Sequence, residues 1–194
     1  PTGHRDGRRF DSLLTALPAY DLCVVRREHS AGEFHRYGAR AVKNIWMSYD
    51  EIEHRPFDSP VQIPDLFRSD VAFVGTWMRG EGRDDFMLGL SERGVDVAIW
   101  GDRWHKAPSW PRLQAHWRGP ALGGRDYVAA IQGAKIALGL LSKGNRDLHT
   151  RRSVEIPYAG GLLCAQRTEE HLSMYREGEE AVFWSDVDEC AAVC

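Results

Sequence analysis

The chain has 194 residues, of which 43% are hydrophobic and 27% are charged, a composition typical of a globular protein with enough length for one domain and part of another. Its net charge of −3 comes from 25 basic and 28 acidic residues scattered along the sequence, which argues against a nucleic-acid or membrane-surface binder, since these need a basic face. No apolar run approaches the ~20 residues needed to cross a bilayer, so no membrane span is predicted.

The N-terminal part of the chain alternates between strand-like and helical patterns. Apolar runs predict strands at 20–27 and 41–49, with a helical segment between them. From His54 to Asp70, three prolines and little periodicity indicate a linker or a crossover. This part of the sequence therefore predicts a small α/β unit followed by an irregular connection.

Beyond Asp70 the alternation becomes regular. Strands are predicted at 71–77, 95–101, 135–141, 161–166 and 181–186, and helices at 83–94, 125–134, 150–160 and 168–178. Strictly alternating strands and helices require crossover connections, which parallel strands need. The predicted fold is therefore α/β, with a Rossmann-like parallel sheet covered by helices on both faces and a partial second α/β unit at the N-terminus. In such sheets, ligands bind at the carboxyl ends of the strands.

The loop "FVGTWMRGEGR" follows the first of these strands and is a candidate ligand site. Gly75, Gly80 and Gly82 stand between a strand and a helix, where backbone N–H groups and a helix N-terminus can face a phosphate. The Walker pattern and the GxGxxG fingerprint are both missing, which argues against an ATPase or a simple NAD-binding domain. The glycines equally suit a plain turn, but the neighbouring Arg79 and Arg83 favour an anion.

A second candidate lies in "HTRRSVEIPYAGGLLCA", residues 149–165, which places Glu155 in a predicted helix. One interpretation is an i,i+4 ion pair with Arg151 on a solvated face. Against it, the residues after Glu155 are mostly apolar, which indicates a buried helix whose carboxylate needs hydrogen-bond donors, such as the vicinal hydroxyls of a ribose. Asp147 lies eight positions earlier, after a strand end, and both carboxylates are expected to face the same cleft.

Residue types that bind metals form no convincing group in the sequence. "DVD" at 186–188 opens a helix, where Ser185 or Asp186 is expected as an N-cap, and the histidines lack ligand spacing. The cysteines show no CxxC pattern, and Cys23 and Cys164 lie in apolar runs, as buried thiols do. We therefore predict no metal site and a reducing, cytoplasmic setting.

Four tryptophans lie within eighteen residues, beginning near the end of the second strand of the regular part: Trp100, Trp104, Trp110 and Trp117. Aromatic faces stack on sugars, so these residues could form a sugar platform. Roles as core residues and loop anchors are the favoured interpretation.

A family resemblance is carried by three stretches, "DVAFVGTW...RDDFMLGLSERGVDVAIWGDRW", "GRDYVAAIQGAKIALGLL" and "RRSVEIPYAGGLLCAQRTEEHLSMYREGEEAVFW". They resemble the CgeB-like (spore maturation protein) glycosyltransferases of the GT-B superfamily, relatives of the group 1 enzymes. The resemblance covers residues 20–194 and is most specific in R-x-x-E-I-P-x-x-G-G at 152–161. It implies two Rossmann-like domains with the active site between them: 1–57 would end the acceptor-side domain, 58–70 would be the linker, and 71–194 would bind the nucleotide-sugar donor.

The resemblance also implies site residues. In related enzymes a Glu-x7-Glu motif supplies one carboxylate to the donor sugar and a second to the nucleotide ribose; the second falls on Glu155 and the first on Asp147, which is one methylene shorter than Glu. Arg83 and Arg152 fall where this branch carries arginines and are assigned to the diphosphate, with Gly75 allowing close approach of the backbone. The predicted donor-binding residues are Gly75, Arg79, Arg83, Asp147, Arg152, Glu155, Gly160 and Gly161.

The implied activity is transfer of a sugar from a nucleotide-diphosphate donor to an acceptor that the sequence does not identify. No cofactor is expected beyond the donor substrate, and no catalytic residue is assigned. The chain opens on Pro1 and ends in a helix start without a stop signal, so we expect a fragment, truncated at its C-terminus, that is inactive when isolated.

The sequence leaves two other functions open. A GT-B nucleotide-sugar epimerase would need acid and base groups near the donor carbon, which the sequence does not show clearly. A non-catalytic, flavodoxin-like interaction domain would place an acidic cluster, rather than arginines and glycines, at a strand end.

Overall fold

The structure is a computed structural model that describes residues 7–194. The chain divides into two compact units. Of the described residues, the N-terminal unit contains those up to Met47 together with Ser142–Leu148, and the C-terminal unit contains Ser48–Leu141 together with His149–Cys194. Each unit is described separately.

These units and the predicted domains have different bounds. Residues 1–6 of the predicted domain 1–57 lie outside the described residues, and Ser142–Leu148 packs with the N-terminal residues although it follows a strand of the C-terminal unit. Assignment of 1–57 to an acceptor-side domain, of 58–70 to a linker and of 71–194 to a donor domain stays a prediction.

The N-terminal unit contains α1 (Gly7–Ala16), β1 (Cys23–Val25), α2 (Glu28–Arg36) and β2 (Val42–Asn44). The two strands pair in parallel, with Cys23 opposite Val42. A small apolar cluster around Leu17 and Cys23 forms the interior of this unit. Both strands lie within the predicted segments, and each is shorter than predicted.

The C-terminal unit is a six-stranded sheet with helices on both faces. Its strands are β3 (Ser69–Val74), β4 (Val97–Trp100), β5 (Trp117–Gly119), β6 (Ala134–Gly139), β7 (Leu163–Gln166) and β8 (Val182–Trp184). Its α-helices are α3 (Arg83–Glu92), α4 (Trp110–Leu113), α5 (Gly124–Gln132), α6 (Arg152–Tyr158), α7 (Glu169–Met174) and α8 (Val187–Val193). All the strand pairs are parallel, which confirms the predicted α/β fold. Among residues 7–194, no helix combines the length and the apolarity that crossing a membrane requires.

Two apolar layers cover the sheet because successive side chains of a strand point to opposite faces. On β7, Leu163 and Ala165 pack into the layer that contains α5 and Ile156 of α6. Cys164, between them, packs into the opposite layer with Met87 of α3 and Cys190 of α8. Full burial of a large apolar side chain contributes ~1.5–3 kcal/mol, so these layers fix α3, α6 and α8 on the sheet.

The strand order β5-β4-β3-β6-β7-β8 places a topological switch point between β3 and β6. From β3 the chain proceeds to one edge of the sheet through β4 and β5, and then returns to the other side of β3 as β6. The connections after β3 and β6 therefore leave in opposite directions and open a crevice at the carboxyl ends of these strands. Such crevices are where open α/β sheets bind ligands.

Candidate functional site

Gly75, directly after β3, lies where the ends of β3 and β4 come very close. A Cβ on Gly75 would lie 2.6 Å from Cζ of Phe73, and one on Gly101 would lie 2.1 Å from the Gly75 carbonyl oxygen. That oxygen also accepts a hydrogen bond from Nε1 of Trp104 at 2.9 Å. Packing within the sheet therefore explains both glycines, and approach of a ligand to the Gly75 backbone stays a prediction.

The loop after Gly75 carries two arginines towards the start of α3. Gly80 and Gly82 adopt positive φ angles of 81° and 70°, which glycine tolerates without a steric penalty. Arg79 is exposed and makes no hydrogen bond or ion pair with the described residues. Arg83, the first residue of α3, donates from Nη1 to the Thr76 carbonyl at 2.7 Å. The loop therefore places two guanidinium groups near a helix N-terminus, a position that favours anions.

Glu155 of α6 is a buried carboxylate, 1% exposed, with donors on both oxygens. Nε of Arg151 lies 2.8 Å from Oε1, and Nη1 of Arg152 lies 2.5 Å from Oε2. The Tyr127 hydroxyl donates to Oε2 at 3.1 Å, and Nε2 of His54 lies 3.7 Å from Oε1. The ion pair predicted between Arg151 and Glu155 is present. Its carboxylate is buried, however, and does not lie on a solvated face. The protein itself thus supplies the ion-pair and hydrogen-bond partners that a buried carboxylate needs.

Sequence reasoning missed His54 and Tyr127. Nδ1 of His54 accepts the Asp50 backbone N–H at 2.9 Å, so a neutral His54 ring carries its proton on Nε2, the nitrogen that faces Glu155. Burial raises the pKa of Tyr127 above its usual value, so the hydroxyl remains a donor. His54 lies in the proline-rich connection and Tyr127 lies on α5, and no sequence spacing links either of them to Glu155.

Arg152 crosses the switch point. It lies on α6, which follows β6, while its Nε donates at 3.3 Å to the carbonyl of Val74, the last residue of β3. Its guanidinium carbon lies 4.8 Å from the ring centroid of Tyr127, a cation–π geometry. The side chain is 33% exposed, so part of it reaches solvent near the end of β3.

Asp147 belongs to the N-terminal unit. Its side chain is 5% exposed and accepts from Nε of Arg27 at 2.5 Å. Asp147 and Glu155 therefore lie in different units, and each is paired with arginine in its own unit. Their meeting in one cleft stays a prediction.

Gly160 and Gly161 end α6. Gly160 has φ 82°, its N–H donates to the Pro157 carbonyl, and the N–H of Gly161 donates to the Ile156 carbonyl, both at 3.0 Å. This is the Schellman pattern of helix termination. A Cβ on Gly161 would lie 2.6 Å from Cγ2 of Ile131. The two glycines have a clear role in the fold, and their contact with a donor stays a prediction.

A buried network holds the first turn of α6. Oγ of Ser153 lies 2.7 Å from Nε2 of His171, whose Nδ1 lies 2.6 Å from the Gln166 carbonyl oxygen. A neutral ring fits both contacts, with Nδ1–H donating to the carbonyl and Nε2 accepting from the hydroxyl. Pro157 has no N–H for the Ser153 carbonyl, and the Tyr175 hydroxyl donates to that carbonyl at 2.8 Å. These contacts with Ser153 therefore hold in place the turn of α6 that carries the arginines.

This network predicts acid sensitivity. Burial lowers the pKa of His171 from its usual 6.5, so the unfolded chain binds the proton more readily than the folded one, and stability is lost as pH falls below ~6.5. The unfolding midpoint should be steady above neutrality and decline as the pH falls below ~6.5. His171→Gln should lessen that decline, and His105→Gln, at an exposed position, should not. Equal pH slopes in all three proteins would contradict this assignment.

An aromatic cavity of about 360 Å³ lies at the carboxyl end of β4. Its lining residues are Gly101, Asp102, Arg103, Trp104, His105, Trp110 and Trp117. Trp100 and Trp104 are 2% and 1% exposed, which confirms core roles for these two. Trp117 is 38% exposed and donates from Nε1 to the Gly101 carbonyl at 3.0 Å. Sugar binding by the cavity stays a prediction.

The "DVD" segment starts α8 as predicted. The Asp186 side chain accepts the Glu189 N–H at 2.9 Å, which confirms it as the N-cap. Asp188 lies 2.7 Å from Nε of Arg93. Each carboxylate is thus engaged in holding α8.

A protein-family profile described as "Glycosyl transferase-like" matches residues 83–193, more than half of the chain. Comparison with curated proteins gave no match.

Several solved structures share the fold. The chain is similar to Anabaena Alr3699/HepE, solved with UDP and glucose (TM-score 0.69, 14% identity, 98% of this chain and 57% of that one). It is also similar to sucrose-phosphate synthase from Thermosynechococcus elongatus (0.65, 13%, 97% and 52%) and to AviGT4, a glycosyltransferase of avilamycin A biosynthesis (0.57, 14%, 89% and 55%). The chain thus spans little more than half the length of each. At these identities the likeness establishes the fold: the parallel sheet with flanking helices is that of the GT-B glycosyltransferases. The family match establishes membership: the chain belongs to the glycosyl transferase-like family.

Proposed function

We propose that the chain forms the donor side of a glycosyltransferase, which binds a nucleotide-diphosphate sugar and passes the sugar to an acceptor. The observation that carries the proposal is Arg152, whose side chain extends from α6 to the end of β3 across the switch point. Arg83 and Arg79, on the loop after β3, add positive charge from the other strand end. A diphosphate is the part of such a donor that this arrangement suits best, because guanidinium groups pair well with phosphate oxygens.

The arginines would assist the transfer by stabilising the negative charge of the leaving group. As the bond between the anomeric carbon and the diphosphate breaks, negative charge builds on the departing nucleotide. Donors that already face that position stabilise the transition state without reorganising. Thr76 and Val74 hold Arg83 and Arg152 in fixed orientations through their carbonyl groups.

Glu155 is proposed to act through the arginines. Its two oxygens already accept from Arg151, Arg152 and Tyr127, and a carboxylate offers about four lone-pair sites. Three of these sites are occupied, so a ribose that donates from two hydroxyls would have to displace one partner, and Arg151, at 57% exposed, is the most readily displaced. We assign Glu155 first as a positioning residue for Arg152.

The finer assignment rests on the resemblance and on composition. We propose a CgeB-like enzyme of the hexosyltransferase type, acting in the cytoplasm, with a donor site that needs no metal. Four free cysteines agree with a reducing setting. An epimerase is less well supported, because His54 and Tyr127, which flank Glu155, are buried and engaged. An interaction domain of the flavodoxin type does not explain arginines at the switch point.

Substitution of the arginines tests the proposal. Arg83→Ala and Arg152→Lys should each weaken binding of UDP or GDP by about tenfold or more, since a hydrogen bond to a charged group contributes ~1.5–3 kcal/mol. Arg93→Ala, at the far end of α3 and paired with Asp188, is the matched control and should bind normally. Calorimetric titrations in EDTA, repeated with Mg²⁺, measure these affinities.

Two outcomes would count against the proposal. Equal losses in Arg93→Ala would show a nonspecific charge effect. A gain above about tenfold on adding Mg²⁺ would show that the donor site depends on a metal.

A further inference from the structure

Three of the four cysteines meet on the face of the sheet opposite to α6. Cys164 lies on β7, Cys190 lies on α8, and Cys194 follows the end of α8. Their sulfur atoms all lie within 4.8 Å of one another, and those of Cys164 and Cys190 are 4.0 Å apart. Cys164 and Cys190 are fully buried, whereas Cys194 is exposed. The cluster therefore opens to solvent on one side only.

The spacing matches a thiolate metal site. Zinc bonds sulfur at ~2.3 Å in tetrahedral geometry, which puts two ligating sulfurs about 3.8 Å apart. The observed separations reach this value with shifts below about 1 Å, within the range of a cysteine rotamer change. We propose that Cys164, Cys190 and Cys194 bind a thiophilic divalent ion of the zinc class, with the fourth coordination position open to solvent beside Cys194.

The fold brings these sulfurs together through local rules. The pleat of β7 turns Cys164 towards the layer that holds α8. Cys190 and Cys194 are four residues apart on α8 and its C-terminal end, so they share one face. Close packing of α8 on α3 depends on Gly89, where a Cβ would lie 3.0 Å from Cγ2 of Val187. The site is thus made by a strand and a helix with fixed positions.

The charge of the cluster favours a divalent ion. When the three cysteines bind as thiolates, their thiol protons are released to solvent, and three thiolates with one divalent ion leave a net charge of −1. A monovalent soft ion would leave −2 in a largely buried site, which is costlier. This difference favours the divalent class.

Zinc titration tests the proposal, with Cys23→Ala as the matched control. Cys23 is also a buried cysteine, but it lies in the N-terminal unit. Under reducing conditions the whole chain should bind one equivalent of Zn²⁺ in competition with a chromophoric chelator, more tightly at higher pH. Co²⁺ in its place should give thiolate charge-transfer absorption. Cys194→Ala, at the exposed position, should weaken binding by about tenfold or more, and Cys23→Ala should bind normally.

Unfolding measurements complete the test, because an ion that prefers the folded chain raises the unfolding midpoint. Zn²⁺ should raise that midpoint in the parent chain and in Cys23→Ala, and should not in Cys194→Ala. Absence of stoichiometric binding, equal binding by Cys194→Ala, or Co²⁺ spectra without thiolate bands would overturn the proposal. UDP titrations of zinc-free protein keep this outcome separate from donor binding, since the two proposals use different faces of the sheet.

Discussion

Glu155→Gln is expected to lower the free energy of unfolding by about 2 to 3 kcal/mol. The carboxylate is 1% exposed and takes hydrogen bonds or ion pairs from Arg151, Arg152 and Tyr127. Loss of its charge leaves two guanidinium groups without their counterion. Because these groups are 57% and 33% exposed, they can turn to solvent, which keeps the cost below that of a fully buried broken pair. Urea unfolding of both proteins measures the difference.

Glu155→Gln should also weaken nucleoside diphosphate binding by about tenfold, because Arg152 loses the partner that orients it. Glu177→Gln is the matched control: Glu177 is a half-exposed partner of Arg167, and such surface pairs contribute ~0–1 kcal/mol. Weaker binding at unchanged stability would indicate direct contact between Glu155 and the ribose. Unchanged binding with a large loss of stability would show that Glu155 serves the fold alone and would remove it from the donor site.

The sequence predicted the long elements of the sheet because buried parallel strands appear as continuous apolar runs. β3, β4, β6, β7 and β8 all lie largely within predicted segments. β5 was missed. It has only three residues, Trp117 and Arg118 are exposed, and its pairing with β4 is irregular, so it carries no apolar signal.

The site was predictable where its residues are close in sequence. Arg151, Arg152 and Glu155 occupy one helix turn, and helix spacing brings them together. His54 reaches Glu155 from a connection about a hundred residues earlier in the chain, and such a contact depends on tertiary packing that no periodicity encodes. The cysteines were missed for the same reason, since Cys164 meets Cys190 only because β7 packs under α8.

The 194-residue chain is expected to bind a nucleoside diphosphate and yet to transfer no sugar. It spans 57%, 52% and 55% of the three similar structures, and we propose that the wall that holds the acceptor lies outside it. Holding donor and acceptor in reacting geometry contributes ~7–11 kcal/mol to catalysis, so its loss takes turnover below detection. Binding should remain, with modest affinity, because a ligand held by one wall of a cleft stays largely exposed to solvent.

Saturation-transfer NMR with UDP, GDP and ADP measures binding, and a labelled-donor assay with a panel of nucleotide sugars measures transfer. A two-domain sucrose-phosphate synthase serves as the positive control for the assay. Arg83→Ala connects the two measurements, because it should weaken the NMR effect if the signal arises at the proposed donor site. Robust transfer by the chain would show that these residues hold a whole active site, since no half-cleft supplies both substrates in reacting geometry. Absence of both binding and transfer would instead remove the donor-side assignment.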